Sequence, residues 1–436
     1  MNFAKHVKNT LLSKIRKMEA FSWLFVRNPE TDFTRKRKLD FATTIRCLIT
    51  MESGSLQKEL LKIFKFSVDT ATASAFNQQR KKILPEALEF LFWYLNTAFK
   101  KYKTYRGYRL LACDGTSLNI ARNPADTENY FQSAPTEMGF NQLHLNAMYD
   151  LCNRRYTDAL VQPGRKYNEC RAMVDMIDRC DCGDKTIFLA DRAYESYNIF
   201  AHIEQKNMYY LIRVKDSYSN SMVSSFALPR AKQFDTMVNL ILTRKQTKQV
   251  KACPQLYKHI PRTSIFDYVD LYENPFYPIT MRVVRFSITP DTYECVITNL
   301  PPDEFSPKEL KKLYNMRWGI ESSFRELKYS IGLSCFHAKK VEYIQQEIFA
   351  RLILYNFCEI ITTNVLIHQK DTKYVYQANY TPAIHVCRHF LLFCSDISPP
   401  FIEILIQKNL LPIRPGRSDP RKVKPKSVVS FLYRIA

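Results

Sequence analysis

The chain of 436 residues has no apolar run clean enough to cross a membrane. Its most hydrophobic stretch, Ile348 to Ile367, is interrupted by Arg351 and Glu359, which fits a buried helix better than a span. The opening Met1-Asn2-Phe3-Ala4-Lys5-His6 meets charge before any apolar segment develops, so no leader peptide is expected. A basic helix flanking an apolar span is also missing, which argues against a lipid surface as partner. The 12 cysteines lack the spacing of a disulfide framework and read as thiols in a reducing cytoplasm. Metal-like fragments are few: Cys180-Asp181-Cys182 and His385-x3-His389 each want the second ligand pair that zinc spacing requires. There is no internal repeat. Acidic residues are in deficit, 42 Asp+Glu against 64 Lys+Arg, and the formal net charge of +22 attracts polyanions at long range. Nucleic acid is the expected partner. A composition 46% hydrophobic and 24% charged excludes disorder as the main state, and the length implies several domains.

Residues 1–107 read as a helical, basic, DNA-binding region. Arg35-Lys36-Arg37-Lys38 leads into the periodic segment Leu39 to Met51, and Arg80-Lys81-Lys82 precedes a helix from Pro85 to Phe99. The bland alternative for such runs is a solvated helix face. From Tyr108 the pattern turns to strands: Tyr108 to Ile120, His144 to Tyr149 and Tyr156 to Val161 suggest a meander. A helix at Asn168 to Arg179, a strand at Thr186 to Ala190, a helix at Tyr197 to Lys206 and a strand at Tyr209 to Val214 follow. The alternation implies an α/β fold, a mixed sheet with helices on its faces. Residues 108–216 and 303–365 form this core, interrupted by a β-rich insertion at 217–302. Ser306 to Tyr329 returns to helix, with Ser306-Pro307 and Glu309 as start signal. Residues 366–436 read as a helical C-terminal region ending in a basic, Pro-rich tail, Arg414 to Lys426.

Two aspartates close apolar strands, Asp114 after Leu110-Leu111-Ala112-Cys113 and Asp191 after Ile187-Phe188-Leu189-Ala190. Carboxylates there stand at the sheet edge where open α/β sheets place ligands, although Asp after a strand is also a common cap or turn residue. On the helix from Ser306, the residues Tyr314, Arg317, Glu321 and Lys328 fall within roughly a 60° arc at about 100° per residue. That face is polar and mixed, unlike an ordinary amphipathic stripe. Glu326 lies about 120° from Tyr314 on the same wheel and is expected to miss the site.

The Tyr-x2-Arg-x3-Glu-x6-Lys spacing, with Asp-Gly-Thr after one strand and Asp-Arg-Ala-Tyr after another, resembles the DDE transposases of the insertion-sequence-4 family. The likeness continues through Gly139-Phe140-Asn141-Gln142-Leu143-His144 and Phe336-His337-Ala338-Lys339, and covers roughly Tyr108 to Asn356. Ala193 stands where many members have Gly, and the N-terminal region shows no helix-turn-helix signature. The resemblance implies an RNase H-like catalytic core, with Asp114 on the first strand, Asp191 just after the fourth and Glu321 on a helix after the fifth. It implies a β-rich insertion between the second Asp and the Glu, catalytic and metal-binding roles for Asp114, Asp191 and Glu321, and DNA contacts for Tyr314, Arg317 and Lys328.

Three carboxylates can hold two Mg²⁺ or Mn²⁺ ions about 4 Å apart, activating a water for nicking and then the freed 3′-hydroxyl for joining. The activity so implied is cut-and-paste transposition in a bacterial cytoplasm, at the nucleoid when bound. It acts on terminal inverted repeats and target DNA, with a homodimer pairing the two ends. Arg317 and Lys328 would grip phosphates near the cut. Trp318 and Tyr194 are candidates for stacking on a displaced base, although the wheel sets Trp318 about 40° beyond Tyr314 and favours core packing for it. The competing readings are an RNase H-fold nuclease that does not join strands, and a catalytically inactive relative kept as a DNA-binding regulator.

Overall fold

The computed structural model describes residues 2–35, 37–100, 102–183, 185–216, 221–367, 369, 374–393 and 399–413. Lys36 of the first basic run and the tail Arg414 to Lys426 lie outside them. No helix among the described residues is long and apolar enough to cross a membrane.

Helices α1 (Phe3–Ala20), α2 (Phe41–Thr50), α3 (Leu56–Ile63), α4 (Ala73–Lys82) and α5 (Glu86–Asn96) precede the sheet. Short polar side chains start them: Asn2 caps α1, Asp40 caps α2 and Thr72 caps α4, each accepting from a first-turn amide that has no partner inside the helix. Strands β1 (Arg109–Ile120), β2 (Tyr130–Phe131), β3 (Phe140–Asp150) and β4 (Arg155–Pro163) follow as an antiparallel meander. Then come α6 (Glu169–Asp178), β5 (Thr186–Ala190), α7 (Tyr197–Gln205) and β6 (Tyr209–Val214), with β5 parallel to both β1 and β6.

Residues 217–302 supply strands, as their β-branched runs suggest, but these strands continue the same sheet. After β7 (Phe234–Thr243), the short helix α8 (Lys248–Ala252) and β8 (Tyr257–His259) come β9 (Phe276–Thr289) and β10 (Thr292–Thr298). β10 hydrogen-bonds to β6, β9 to β10, and β7 to β9, giving one mixed sheet in the order β2-β3-β1-β5-β6-β10-β9-β7-β8 with β4 on β3. Two buried guanidiniums stitch this extension together: Arg282 to Asp235 and Arg285 to Asp216, each through both carboxylate oxygens.

Alternation along the strands sorts the two faces. Leu111, Cys113, Phe188 and Ala190 pack against α6 and α7. Leu110, Ile187, Leu189 and Leu211 pack against α9 (Pro307–Met316). Beyond α9 lie α10 (Trp318–Arg325) and then α11 (Val341–Thr362), which is buried along nearly its whole length and joins α1, α2 and α5 to the core. Two of its buried polar residues bond to neighbouring backbone: Arg351 donates to the carbonyls of Met51 and Glu52, and Asn356 to the Tyr156 carbonyl. The described C-terminal part, α12 (Tyr380–Leu392) and α13 (Pro399–Lys408) with a small ribbon between β11 (Tyr376–Ala378) and β12 (Leu410–Pro412), packs on this helical side.

Candidate active site

The β1–β5 register brings the aspartates together. Leu110 pairs with Ile187 and Ala112 with Leu189; two residues further the same register sets Asp114 level with Asp191, just past the end of β5. Neighbouring strands lie about 4.8 Å apart, and residues two apart share a face, so both carboxylates point to the side covered by α9 and α10. Asp114 Oδ1 accepts from the Gly115 amide at 2.9 Å, and Asp191 Oδ1 from the Ala193 amide at 2.8 Å, which orients each side chain.

The helical segment is not the single α-helix expected over Ser306 to Tyr329. Its start follows the sequence signal, with Ser306 accepting from the Glu309 amide and Pro307 in the first turn. The backbone stays helical through Arg317, at φ −51° and ψ −33°, where one tightened turn joins α9 to α10, and from Glu326 to Ile331 it widens into a π-helical turn closed by Gly332 at φ 95°, a left-handed conformation that suits glycine. A constant 100° per residue therefore does not describe Tyr314 to Lys328. The wider turn nevertheless delivers Lys328 to β1, where its Nζ donates to Thr116 Oγ1 at 2.6 Å and to the Ser117 carbonyl at 3.0 Å. The segment's end is held by Arg388 of α12, which donates to the Ile331 carbonyl.

Glu321, half-buried on α10, accepts from Arg317 Nη2 at 2.8 Å. Arg317 is itself buried, its guanidinium 5.1 Å from the centre of the Trp318 ring and 5.5 Å from that of Tyr314. Glu326 points elsewhere, as its helix position suggests, accepting from Arg154 and from the Tyr355 hydroxyl. Tyr314 is only 2% exposed and packs among Leu110, Leu189 and Leu211, so a DNA contact through its hydroxyl would need that group uncovered. Trp318, expected to pack in the core, is instead 49% exposed, because the buried side of the helix is centred on Leu313, Arg317, Ile320 and Phe324, about 90° from Tyr314 in the other direction. Tyr194 is buried, with no ring face open to a base.

The electrostatics tie the three carboxylates into one group. Burial pushes the Asp114 carboxyl up to about 7, and the nearby charges of Asp191 and Glu321 push in the same direction, against the Gly115 amide and Arg317. Burial also lowers the Lys328 ammonium. No three His, Cys, Asp or Glu side chains among the described residues are drawn up around a single ion position. The donor chemistry still suits a hard divalent cation: three carboxylates in one partly desolvated field, one of them destabilised as an anion, with the Arg317 guanidinium as the cation now facing Glu321.

The family model described as the transposase DDE domain matches residues 105–357, more than half of the chain, and spans all six expected site residues. The chain belongs to the transposase DDE domain family. Over 58 residues it is 38% identical to InsL, the transposase assigned to insertion sequence element IS186A of Escherichia coli (strain K12), and to the transposase of insertion sequence element IS421 of Escherichia coli. The aligned stretch spans 13% of this chain and 16% of each relative. A cryo-EM structure of the piggyBac transposase synaptic complex with hairpin DNA aligns with 96% of this chain and 87% of its own at 11% identity and a TM-score of 0.46.

Several residues around the candidate site escape sequence reasoning. Thr116 and Ser117, the partners of Lys328, follow Asp114 directly, yet nothing in Asp-Gly-Thr-Ser announces a contact with a helix more than two hundred residues away. Gly115 carries a clearer signal. A side chain there would collide with His144 and Glu169, whose imidazole and carboxylate meet at 3.0 Å behind the strand. The Tyr156 hydroxyl shares a hydrogen bond of 2.8 Å with Ser323 Oγ, fixing α10 against β4.

Proposed function

We propose that this chain is a DNA transposase of the insertion-sequence-4 type, built on an RNase H-like core, which cleaves the ends of its element and joins them to target DNA. The observation that carries the reading is the common field of Asp114, Asp191 and Glu321, which come from β1, the end of β5 and α10 to one sheet edge. The order β4-β3-β1-β5-β6, with β1 antiparallel to β3 and parallel to β5, supports the RNase H-like assignment. The Tyr-x2-Arg-x3-Glu-x6-Lys series supports the narrower family.

Asp114, Asp191 and Glu321 would hold two Mg²⁺ or Mn²⁺ ions. When bound, these supply a lowered pKa for the attacking water or 3′-hydroxyl and charge neutralisation at the leaving oxygen. The protein's own part is positional. The Gly115 and Ala193 amides fix the aspartate rotamers, and Tyr156 with Ser323 anchors α10. Arg317, buried against Glu321, and Lys328, bonded to Thr116 and Ser117, set positive charge beside the carboxylates that phosphate oxygens would meet once these side chains turn outward, and Tyr314 backs Arg317 from the core. Two element ends must be cut together, which calls for a homodimer on DNA.

The test is a duplex carrying the inverted repeats that flank the coding region, incubated with the full-length protein and Mg²⁺ or Mn²⁺. Nicking at the repeat ends and joined products are expected, both lost on chelation of the metal and in Asp114→Asn. Hydrolysis without joined product would instead favour a nuclease of this fold. Repeat binding without cleavage in either metal would favour a regulator.

A further inference from the structure

At the far end of the same strands, about 17 Å along β1 from Asp114, a cavity of about 380 Å³ opens between α5, α6 and the beginnings of β1 and β4. Its wall includes Arg109, Arg155 and Arg179, the aromatic rings of Trp93 and Tyr102, and both thiols of Cys180-Asp181-Cys182, the fragment whose spacing lacks a zinc partner pair. Arg109 is the first residue of β1. It donates from Nε to Asp150 at 2.9 Å and from Nη1 to Cys182 Sγ at 3.0 Å, and it stacks on Tyr102 at 3.8 Å. The two cysteines line the same cavity one residue apart. Both cysteines are half-buried, whereas Cys47, Cys113, Cys295, Cys358 and Cys387 are buried.

We propose that Cys182 and Cys180 form a peroxide-reactive dithiol, with Cys182 the attacking sulfur and Cys180 the resolving one. A guanidinium 3.0 Å from sulfur favours thiolate over thiol, against the opposing charges of Asp150 and Asp181. The hydrogen bond from Cys180 and the charge of Arg109 outweigh burial and bring the Cys182 thiol down to about 7, while the same hydrogen bond holds the proton on Cys180. At neutral pH a large share of Cys182 is therefore nucleophilic.

The chemistry balances with a hydroperoxide as oxidant. The Cys182 thiolate attacks one peroxide oxygen; the O–O bond breaks, an S–O bond forms and hydroxide or alkoxide leaves, giving a sulfenic acid. The Cys180 sulfur then attacks the Cys182 sulfur and displaces hydroxide, which departs as water with the Cys180 proton. Two thiols have given two electrons to one peroxide. The disulfide takes from Arg109 the anionic acceptor it now holds and ties the loop that feeds β5.

Purified full-length protein treated with hydrogen peroxide should yield a peptide of residues 180–185 lighter by two hydrogens and recoverable with a thiol reductant. In Cys180→Ser the sulfenic acid should persist at Cys182 and be trapped by dimedone. Alkylation of Cys182 by iodoacetamide should reach half its maximal rate near pH 7. The proposal is overturned if peroxide leaves residues 180–185 unchanged while oxidising other cysteines, or if it links Cys182 between two chains. A Cys182 alkylation midpoint above pH 8.5 overturns it as well. The wild-type measurements stand whether or not the serine variant folds.

Discussion

Arg80 belongs to the run Arg80-Lys81-Lys82, which in the sequence looks like a cluster facing DNA, yet its side chain is 1% exposed. From the end of α4 it reaches into α11, with Nη1 on Glu347 at 2.9 Å, Nε on Gln346 at 3.2 Å and Nη2 on the Tyr343 carbonyl at 2.8 Å. Arg80→Ala would leave the buried Glu347 without its closest cation. Breaking a buried ion pair from one side costs about 3–5 kcal/mol. Glu347 keeps the amides of His337 and Ala338 and the influence of Arg351, so the lower end, about 3 kcal/mol, is expected, roughly a hundredfold in the folding constant. Burial alone would raise the Glu347 carboxyl, but Arg80, His337 and Arg351 together hold it well below the usual range. A depressed carboxyl contributes stability that is present above the unfolded value, about 4.3, and is lost as pH falls through the folded value. The gap between wild type and Arg80→Ala, measured by urea unfolding, should therefore be full at pH 7 and shrink below about pH 4. The folded variant should bind DNA with an unchanged salt slope, because Arg80 meets no phosphate. A variant within about 1 kcal/mol of wild type at pH 7, or a salt slope reduced by about one, would refute this assignment.

Glu321→Gln should abolish nicking while Glu326→Gln retains it; the reverse pattern in a plasmid-nicking assay would place the third carboxylate on the wrong residue. Lys328→Met removes the bonds to Thr116 and Ser117, and should slow nicking on the order of 10²-fold for about 1 kcal/mol of stability, read from single-turnover rates and urea midpoints. Arg317→Met strips Glu321 and Asp114 of their nearby cation, so added Mg²⁺ should raise its melting temperature by more than it raises wild type; equal shifts would argue against a shared site. Burial pushes the Glu204 carboxyl up to about 7 against its bond from the Tyr210 hydroxyl, so its contribution is full below about pH 4.3 and fades as pH rises through 7. Glu204→Gln should accordingly gain roughly 1–2 kcal/mol on wild type between pH 5 and 8.5 in urea unfolding, and a constant difference across that range would count against it.

The strands of the core were legible because each is a short apolar run between polar breaks, and their ends came within a residue or two where a cap or charge marks them. Asn168 capping α6 is one such mark, and Ser306 before α9 another. What β10 would pair with was not legible. Tyr293 to Ile297 has the composition of any half-buried strand, and only the open edge of β6 decides that it extends the core sheet instead of closing a separate one. Strand pairing between segments some eighty residues apart is set by which edges remain free after local structure forms, and that information belongs to no single segment.

The site divides along the same line. That Asp114 and Asp191 would stand at one sheet edge was legible because each follows a buried strand of the same sheet, and the parallel β1–β5 register sets them level with each other. Glu321 could be separated from Glu326 because five positions along a helix turn a side chain by well over a quarter of a circle, and α10 stays regular between them. The same arithmetic misplaces Trp318 because it is referred to Tyr314, which lies at the edge of the buried arc and not at its centre. Arg317 lies inside that arc, with Glu321 ahead of it and Tyr314 behind it, and its neighbour one position on is turned about 100° towards solvent. The exposed tryptophan and the buried arginine are thus one consequence of a helix that runs on through Arg317 with a single face against the sheet.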